Sequence, residues 1–144
     1  MMKALNRHST KIFCALLDRL GGGQHLKITT ELFMPLTIER IGDIYWEDGS
    51  LISLCHYYEQ NGDLVQDPEM CFIVIDQRDQ DKTAFENVMV VPYLYQQASM
   101  GIYEESITFN KNVVLHCDNS LQLQHVIFAG QWLQNIERQG FLKQ

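Results

Sequence analysis

No stretch of this 144-residue sequence approaches the ~18 consecutive apolar residues that a membrane-spanning helix needs. Polar residues at positions 6–9 interrupt the N-terminal segment before an apolar stretch forms, so no signal peptide is predicted. Basic residues are also scarce: 11 Lys and Arg stand against 18 Asp and Glu, which gives a formal net charge of −7. Because a negative molecule repels DNA and anionic lipid, the composition argues against a membrane protein and against direct nucleic-acid binding.

The sequence contains four cysteines but no C-x-x-C pair. Each cysteine lies in an apolar stretch, where a free thiol behaves as a small core residue. Without a secretory signal, a reducing cytoplasmic setting is the default. A zinc site built from Cys55, His56, His116 and Cys117 is disfavoured, because adjacent residues on a strand point to opposite faces. No metal site and no cofactor are therefore predicted.

The acidic excess is concentrated in the middle of the chain. Residues 41–110 contain 13 acidic residues and two basic ones, Arg78 and Lys82, a net charge of −11. Residues 1–40 carry +3 and residues 111–144 carry +1. Such a field speeds encounter with a cationic partner, although carboxylates also simply keep a surface soluble. Both interpretations stay open at this point.

Apolar residues recur at three- and four-residue steps in residues 10–20 and 120–138, which predicts two helices. His125 lies on the apolar stripe of the second helix and is predicted to be a hydrogen-bonded core residue. Seven segments between the helices have strand patterns, residues 25–31, 34–41, 51–60, 64–76, 88–95, 101–109 and 112–117, and they predict an antiparallel sheet of about six strands. Residues 77–86 form a polar surface loop. Residues 1–144 are thus predicted to be a single α+β domain, an antiparallel sheet flanked by one N-terminal and one C-terminal helix.

Asn61 and Gly62 separate two of these strands and give the strongest local signal in the chain. A type I′ turn needs positive φ at both central positions, so Asn-Gly between apolar runs predicts a two-residue β-hairpin. The predicted cross-strand pairs are Gln60–Asp63, Tyr58–Val65, His56–Asp67, Leu54–Glu69 and Ile52–Cys71. Pro68 cannot donate to the ladder, which indicates an edge or a bulge near it.

Residues 70–75 of the returning strand are apolar on both faces, so both faces must be covered. Either each terminal helix covers one face, or both helices cover one face and a second copy of the protein covers the other. The second alternative predicts a homodimer. The sequence does not decide between the two.

Four residues of the hairpin are the candidate binding residues: His56, Asp63, Asp67 and Glu69. A carboxylate beside a histidine orients the ring and favours its charged form, as a general base requires. Asp67 and Glu69, two residues apart on one strand, are expected to share a face ~7 Å apart, with room for a water or a cation between them. The alternative is that these residues only turn the chain and contact solvent. No nucleophile, phosphate-binding glycine loop or metal-ligand spacing accompanies them.

Two functions follow from these patterns. The first is a non-enzymatic interaction module whose acidic middle binds a protein partner with a basic surface. The second is a small hydrolase or cation-binding protein that uses the His/carboxylate cluster of the hairpin. The first requires no reactive constellation, whereas the second requires His56, Asp63, Asp67 and Glu69 to converge in one cleft.

Three segments carry a resemblance to a known family. They are Asn61-Gly62-Asp63-Leu64 with Asp67-Pro68-Glu69-Met70 and Phe72, then Pro92 to Gln96 with Gly101-Ile102-Tyr103, and Phe128 with Trp132-Leu133, Asn135 and Gln139-Gly140-Phe141. Across residues 12–141 the chain resembles a family of short bacterial proteins known only as a domain of unknown function. Its members are carried largely on plasmids, phages and integrated conjugative elements. The resemblance implies a compact cytosolic accessory protein of a mobile element and carries over no catalytic residues.

Overall fold

The computed structural model describes residues 2–144 and confirms the α+β architecture. Helix α1 spans Arg7–Leu20 and helix α2 spans Asn119–Arg138. The strands are β1 (His25–Ile28), β2 (Leu36–Asp43), β3 (Ser50–Gln60), β4 (Asp63–Asp76), β5 (Val88–Gln97), β6 (Ile102–Glu105), β7 (Ile107–Asn110) and β8 (Val113–Cys117). No helix within residues 2–144 combines the length and apolarity needed to cross a bilayer.

Both helices begin at a side chain that caps their first turn. The Asn6 side chain accepts a hydrogen bond from the Ser9 backbone N–H, so α1 starts three residues before the predicted helix. Asp118 does the same for α2 by accepting from the Leu121 N–H. Gly21 ends α1 with a positive φ of 57°, a conformation that favours glycine.

The six strands β1 to β6 form one antiparallel sheet in sequence order, and β7 and β8 form a separate two-stranded sheet. The single strand predicted over residues 101–109 is wrong, because the structure has two strands there, β6 and β7, separated by Ser106. The Ser106 N–H donates to the Tyr93 carbonyl, and the Ser106 carbonyl accepts from the Asp118 N–H. These two bonds fix the bend where β7 leaves the main sheet.

Both helices pack on the same face of the main sheet, called the helix face here. The core on this face joins residues of the two helices to alternate residues of β3 and β4. The helices contribute Phe13, Leu16, Trp132 and Ile136, and the strands contribute Ile52, Leu54 and Phe72. The rings of Phe13 and Phe72 meet edge to face with their centroids 5.0 Å apart. The arrangement with both helices on one face is therefore the one that the protein adopts.

The opposite face is covered around β4 and β5 by the chain itself. Here Cys71, Ile73 and Ile75 of β4 pack against three other elements. These elements contribute Ile44 from the β2–β3 loop, Val91 and Tyr93 from β5, and Ile107 and Phe109 from β7. Tyr93 and Phe109 pack edge to face at 5.0 Å. The two-sided apolar strand at residues 70–75 is thus explained within one chain, and the homodimer stays a prediction without that support.

Candidate functional site: the β3–β4 hairpin

The turn of the β3–β4 hairpin has the predicted chemistry. Asn61 and Gly62 both adopt positive φ, at 54° and 86°, and Gln60 pairs with Asp63. A Cβ on Gly62 would meet no atom within 4 Å, so this glycine is required by its backbone angle and not by crowding. The two-residue hairpin predicted from Asn-Gly is confirmed.

The tip of this hairpin extends past the neighbouring strands. The last pair between β2 and β3 is Leu36 with His56, and the last pair between β4 and β5 is Glu69 with Gln96. Beyond them, within the described chain, residues 57–60 and 63–66 pair only with each other. We call residues 57–66 the ribbon. A two-stranded ribbon presents both of its faces and both of its edges to potential partners.

The register of the hairpin shifts by one residue at its middle. From the turn to Tyr57–Gln66 the pairs are the predicted ones, but Cys55 then pairs with Glu69. One residue of β3, His56, therefore stands where β4 has two, Asp67 and Pro68, and the Asp67–Pro68 peptide bond is cis. The predicted pairs Leu54–Glu69 and Ile52–Cys71 are wrong, because the extra residue near Pro68 displaces the rest of β4.

His56 lies on the helix face and is buried, with an exposed fraction of 6%. Its ring packs against Trp132 and Phe141, with centroid distances of 5.7 and 5.3 Å. The ring Nδ1 lies 3.2 Å from both the Met34 and the Pro35 carbonyl oxygens, so Nδ1 carries the proton and donates. Burial lowers the pKa of His56 below its usual 6.5. The neutral ring is therefore the form that this core accommodates.

Asp67 and Glu69 lie near one another in sequence but contact different partners. The Asp67 carboxylate accepts from the Gln97 amide at 2.7 Å and from the Ser99 hydroxyl at 3.2 Å. The Glu69 carboxylate accepts from the Ser53 hydroxyl and the Gln96 amide. Every one of these donors is neutral, so these hydrogen bonds hold both carboxylates in place without a cation.

The two carboxylates point to opposite faces of the sheet. Gln96 and Gln97 are adjacent in β5, and adjacent strand residues point to opposite sides. Asp67 shares the helix face with His56, whose positive form it stabilises electrostatically. The shared face expected for Asp67 and Glu69 is therefore wrong, and the register shift at Pro68 is the physical reason.

The structure brings His56 and Asp67 to one face and places Glu69 on the other. Asp63 lies beside the turn, exposed, where it pairs with Gln60. No group of three or more His, Cys, Asp or Glu within residues 2–144 has the geometry to hold a metal ion. Chemistry that needs His56, Asp63, Asp67 and Glu69 around one substrate has no support in this arrangement.

Few of the acidic residues in the middle of the chain are paired with cations. Among residues 2–144, a basic side chain lies within 4.0 Å of only three of the 13: Arg78 of Asp76, Arg7 of Glu86 and His125 of Glu104, and the last contact is an ion pair only when the histidine is protonated. The Arg7–Glu86 pair is largely exposed, with side chains 69% and 65% accessible, and contributes little. The remaining ten carboxylates keep a field that the basic ends of the chain do not neutralise.

A second set of polar residues surrounds His125, and the sequence indicates only the histidine. Ser106 Oγ lies 2.7 Å from His125 Nδ1, and Glu104 Oε1 lies 3.2 Å from Nε2. With the Nε2 proton donated to Glu104, Nδ1 accepts from the Ser106 hydroxyl. The order Ser–His–carboxylate is that of a nucleophilic triad, but Ser106 is only 2% exposed and meets no solvent. This network ties α2 to the β6–β7 bend and confirms His125 as a hydrogen-bonded core residue.

A comparison with family models places this fold and hairpin in a known group. Residues 11–142 match the family described as Domain of unknown function (DUF6908). The chain belongs to this family. The match includes both helices from Lys11 onward, the whole main sheet and the hairpin. Neither the comparison with curated proteins nor that with solved structures gave a match.

Proposed function

We propose that this DUF6908 protein is a non-enzymatic interaction module whose ribbon end binds a protein partner with a basic surface. The observation that supports it best is that, within residues 2–144, ten of the 13 acidic residues in the middle of the chain have no basic side chain within 4.0 Å. Uncompensated surface charge raises the encounter rate with an oppositely charged partner. Two of these carboxylates, Glu59 and Asp63, lie on the ribbon, whose residues form no ladder pairs with another strand of the described chain.

The ribbon also offers apolar contacts beside its charges. Glu59 and Leu64 pair across one face of the ribbon, and Gln60 and Asp63 pair across the other. Leu64 is 61% exposed, and Tyr57 and Tyr58 are half-buried at the base of the ribbon. Aromatic and apolar anchors surrounded by a charged rim are typical of protein-binding surfaces.

The cellular context belongs to the same proposal. The family resemblance supports a bacterial, cytoplasmic accessory protein of a mobile genetic element, and its partner is then a basic protein of the element or of the host. The four cysteines are free, which suits a reducing compartment.

A pull-down from bacterial lysate tests this proposal. The wild-type protein is compared with Glu59→Gln/Asp63→Asn, which removes two charges from the ribbon, and with Asp43→Asn/Asp79→Asn, which removes two exposed charges at the other end of the sheet. We expect one or more basic proteins to be retained by the wild type and by the second variant, lost from the ribbon variant, and released at about 0.3 M salt, where surface charges are screened beyond several Å.

Three results would contradict the proposal. The first is that no protein is enriched at low salt. The second is that the two double variants behave alike, because net charge alone would then explain retention. The third is binding that is insensitive to salt, because the contact would then not be electrostatic.

A further inference from the structure

A cleft lies at the end of the sheet opposite the ribbon, between the last turn of α1 and the ends of β2, β3 and β4. Its volume is about 480 Å³, within the range of small-molecule sites. Ten residues line it: Leu17, Asp18, Gly21, Arg40, Asp48, Ser50, Ile52, Val74, Asp76 and Lys82. The floor is apolar, and the walls carry charges of both signs.

The scarce basic residues of the middle of the chain converge on this cleft. Between Arg40 and Lys111 the sequence has only Arg78 and Lys82 as basic residues. Arg40 and Lys82 line the cleft, and Arg78 is bonded to two of its wall residues, Asp18 and Asp76. Three cations thus face three carboxylates, counting Asp48, whereas the rest of the middle of the chain is strongly negative.

Arg78 uses all of its donors within the protein. Its side chain is 1% exposed, and its guanidinium donates to both oxygens of Asp18, to both oxygens of Asp76 and to the Lys82 carbonyl, at 2.8–3.2 Å. This network lowers the pKa of Asp76 below its usual 3.8, against the opposing effect of its own burial. Arg78 therefore neutralises much of the carboxylate wall and leaves the other two cations available.

Within the part of the chain that the structure describes, Arg40 and Lys82 have donors without partners. Arg40 donates from Nε to the Gly23 carbonyl and from Nη2 to the Gly21 carbonyl, which leaves its Nη1 unused. Among residues 2–144, the Lys82 Nζ has neither a hydrogen bond nor an ion pair, and the Ser50 hydroxyl has no hydrogen bond. Three donors at one cleft, two of them cationic, match the oxygens of an anionic group.

We propose that this cleft binds a small organic anion. Its carboxylate or phosphate group contacts Arg40, Lys82 and Ser50, and its apolar part rests on Leu17 and Val74. A hydroxyl or amine of the same molecule is positioned to donate to Asp48, a carboxylate of the wall without an ion pair. The site lies apart from the ribbon and does not depend on the function proposed for it.

An NMR titration of the full chain at constant ionic strength tests the site. Acetate and inorganic phosphate probe the anionic group, and benzoate and phenyl phosphate add an apolar part to each. We expect backbone amide shifts at Gly21, Ser50 and Lys82, and tighter binding of the two aromatic probes than of their parent ions. If the two carboxylates bind more tightly than the two phosphates, the preferred anion is a carboxylate, and in the opposite case it is a phosphate.

Lys82→Ala is the decisive variant, because Lys82 is exposed and its Nζ has no hydrogen bond or ion pair among the described residues. We expect it to weaken binding about tenfold, the loss of one charge-assisted hydrogen bond. Lys11→Ala, which removes an exposed lysine from α1, is expected to leave binding unchanged. Shifts scattered over the surface, equal effects of the two variants, or aromatic probes that bind no tighter than their parent ions would each overturn the proposal.

Discussion

The two ends of the main sheet both carry carboxylates, but their partners differ. At the cleft end, Asp18 and Asp76 bond to a buried guanidinium, that of Arg78. At the hairpin end, Asp67 and Glu69 bond only to amides and hydroxyls. An ion pair cancels the field of a carboxylate, whereas a neutral donor fixes its position and leaves its charge. One end is therefore suited to a pre-organised cleft, and the other to a partner that supplies positive charge.

The largest expected effect is at the cleft end. Arg78→Met leaves Asp18 and Asp76 side by side without their cation, and we expect a loss of about 3 kcal/mol in the free energy of unfolding. This value is at the low end for a broken buried pair, because the Asp18 and Asp76 side chains are 44% and 28% exposed and stay partly hydrated. Urea denaturation monitored by circular dichroism measures it.

Two further variants sharpen this result. Asp18→Asn/Asp76→Asn combined with Arg78→Met removes all three charges, and we expect it to recover most of the lost stability. Arg7→Ala breaks the exposed pair with Glu86 and should cost less than about 1 kcal/mol. If Arg78→Met lowers the free energy of unfolding by no more than Arg7→Ala does, the buried network does not stabilise the cleft end.

The next effect concerns the turn at the hairpin end. Gly62→Ala places a side chain at a φ of 86° in open space, so it adds backbone strain without a clash. We expect a loss of about 1–2 kcal/mol, the usual cost of left-handed geometry for a residue with a Cβ. Gly22→Ala, at a position without positive φ and with equally open space, is the control and should change stability little. Thermal unfolding of the two variants makes the comparison.

A third prediction concerns the pH dependence at His56. Because burial lowers the folded-state pKa below 6.5, the unfolded state binds the proton more readily. The stability that neutral His56 contributes to the folded state is therefore fully present above pH 6.5, and it is lost as the pH falls through the folded-state pKa. We expect unfolding measured between pH 7 and 5 to show this decline in the wild type and a flatter profile in His56→Phe. Identical profiles would contradict a buried neutral histidine.

The smallest expected effect is on the stability of the ribbon. Glu59→Gln/Asp63→Asn should change the free energy of unfolding by less than about 0.5 kcal/mol, because both side chains are exposed and neither has an ion pair within 4.0 Å among residues 2–144. Calorimetry checks this. A large loss would mean that the charges of the ribbon stabilise the fold, and the binding test with this variant would then need the folded fraction measured alongside it.

Much of the fold can be predicted from local patterns. The helical periodicity, the Asp118 cap and the Asn61–Gly62 turn each depend on residues close together in sequence, so both helices and the hairpin are predictable. Pro68 correctly indicates a bulge, but the register beyond it is not predictable, because the position of the extra residue is set only when the two strands pair. The break at Ser106 depends on backbone bonds to Tyr93 and Asp118, which sequence patterns do not reveal.

The candidate sites show the same division. His56 and Asp67 do share a face, but Glu69 is moved to the other by a shift that alternation alone does not predict. Arg78 lies in a segment predicted to be a polar surface loop, and the structure buries it between Asp18 and Asp76. In the sequence, Arg78 stands out only because it is one of two basic residues in residues 41–110.

The sequence by itself determined the charge of the molecule, its two helices and the sharp turn of its central hairpin, because these follow from composition and from neighbours a few residues apart. Only the tertiary structure decided which face each carboxylate occupies, what covers the second side of β4, and where the few cations meet. Those outcomes depend on contacts between residues far apart in the chain, which form only when the sheet and its helices pack together.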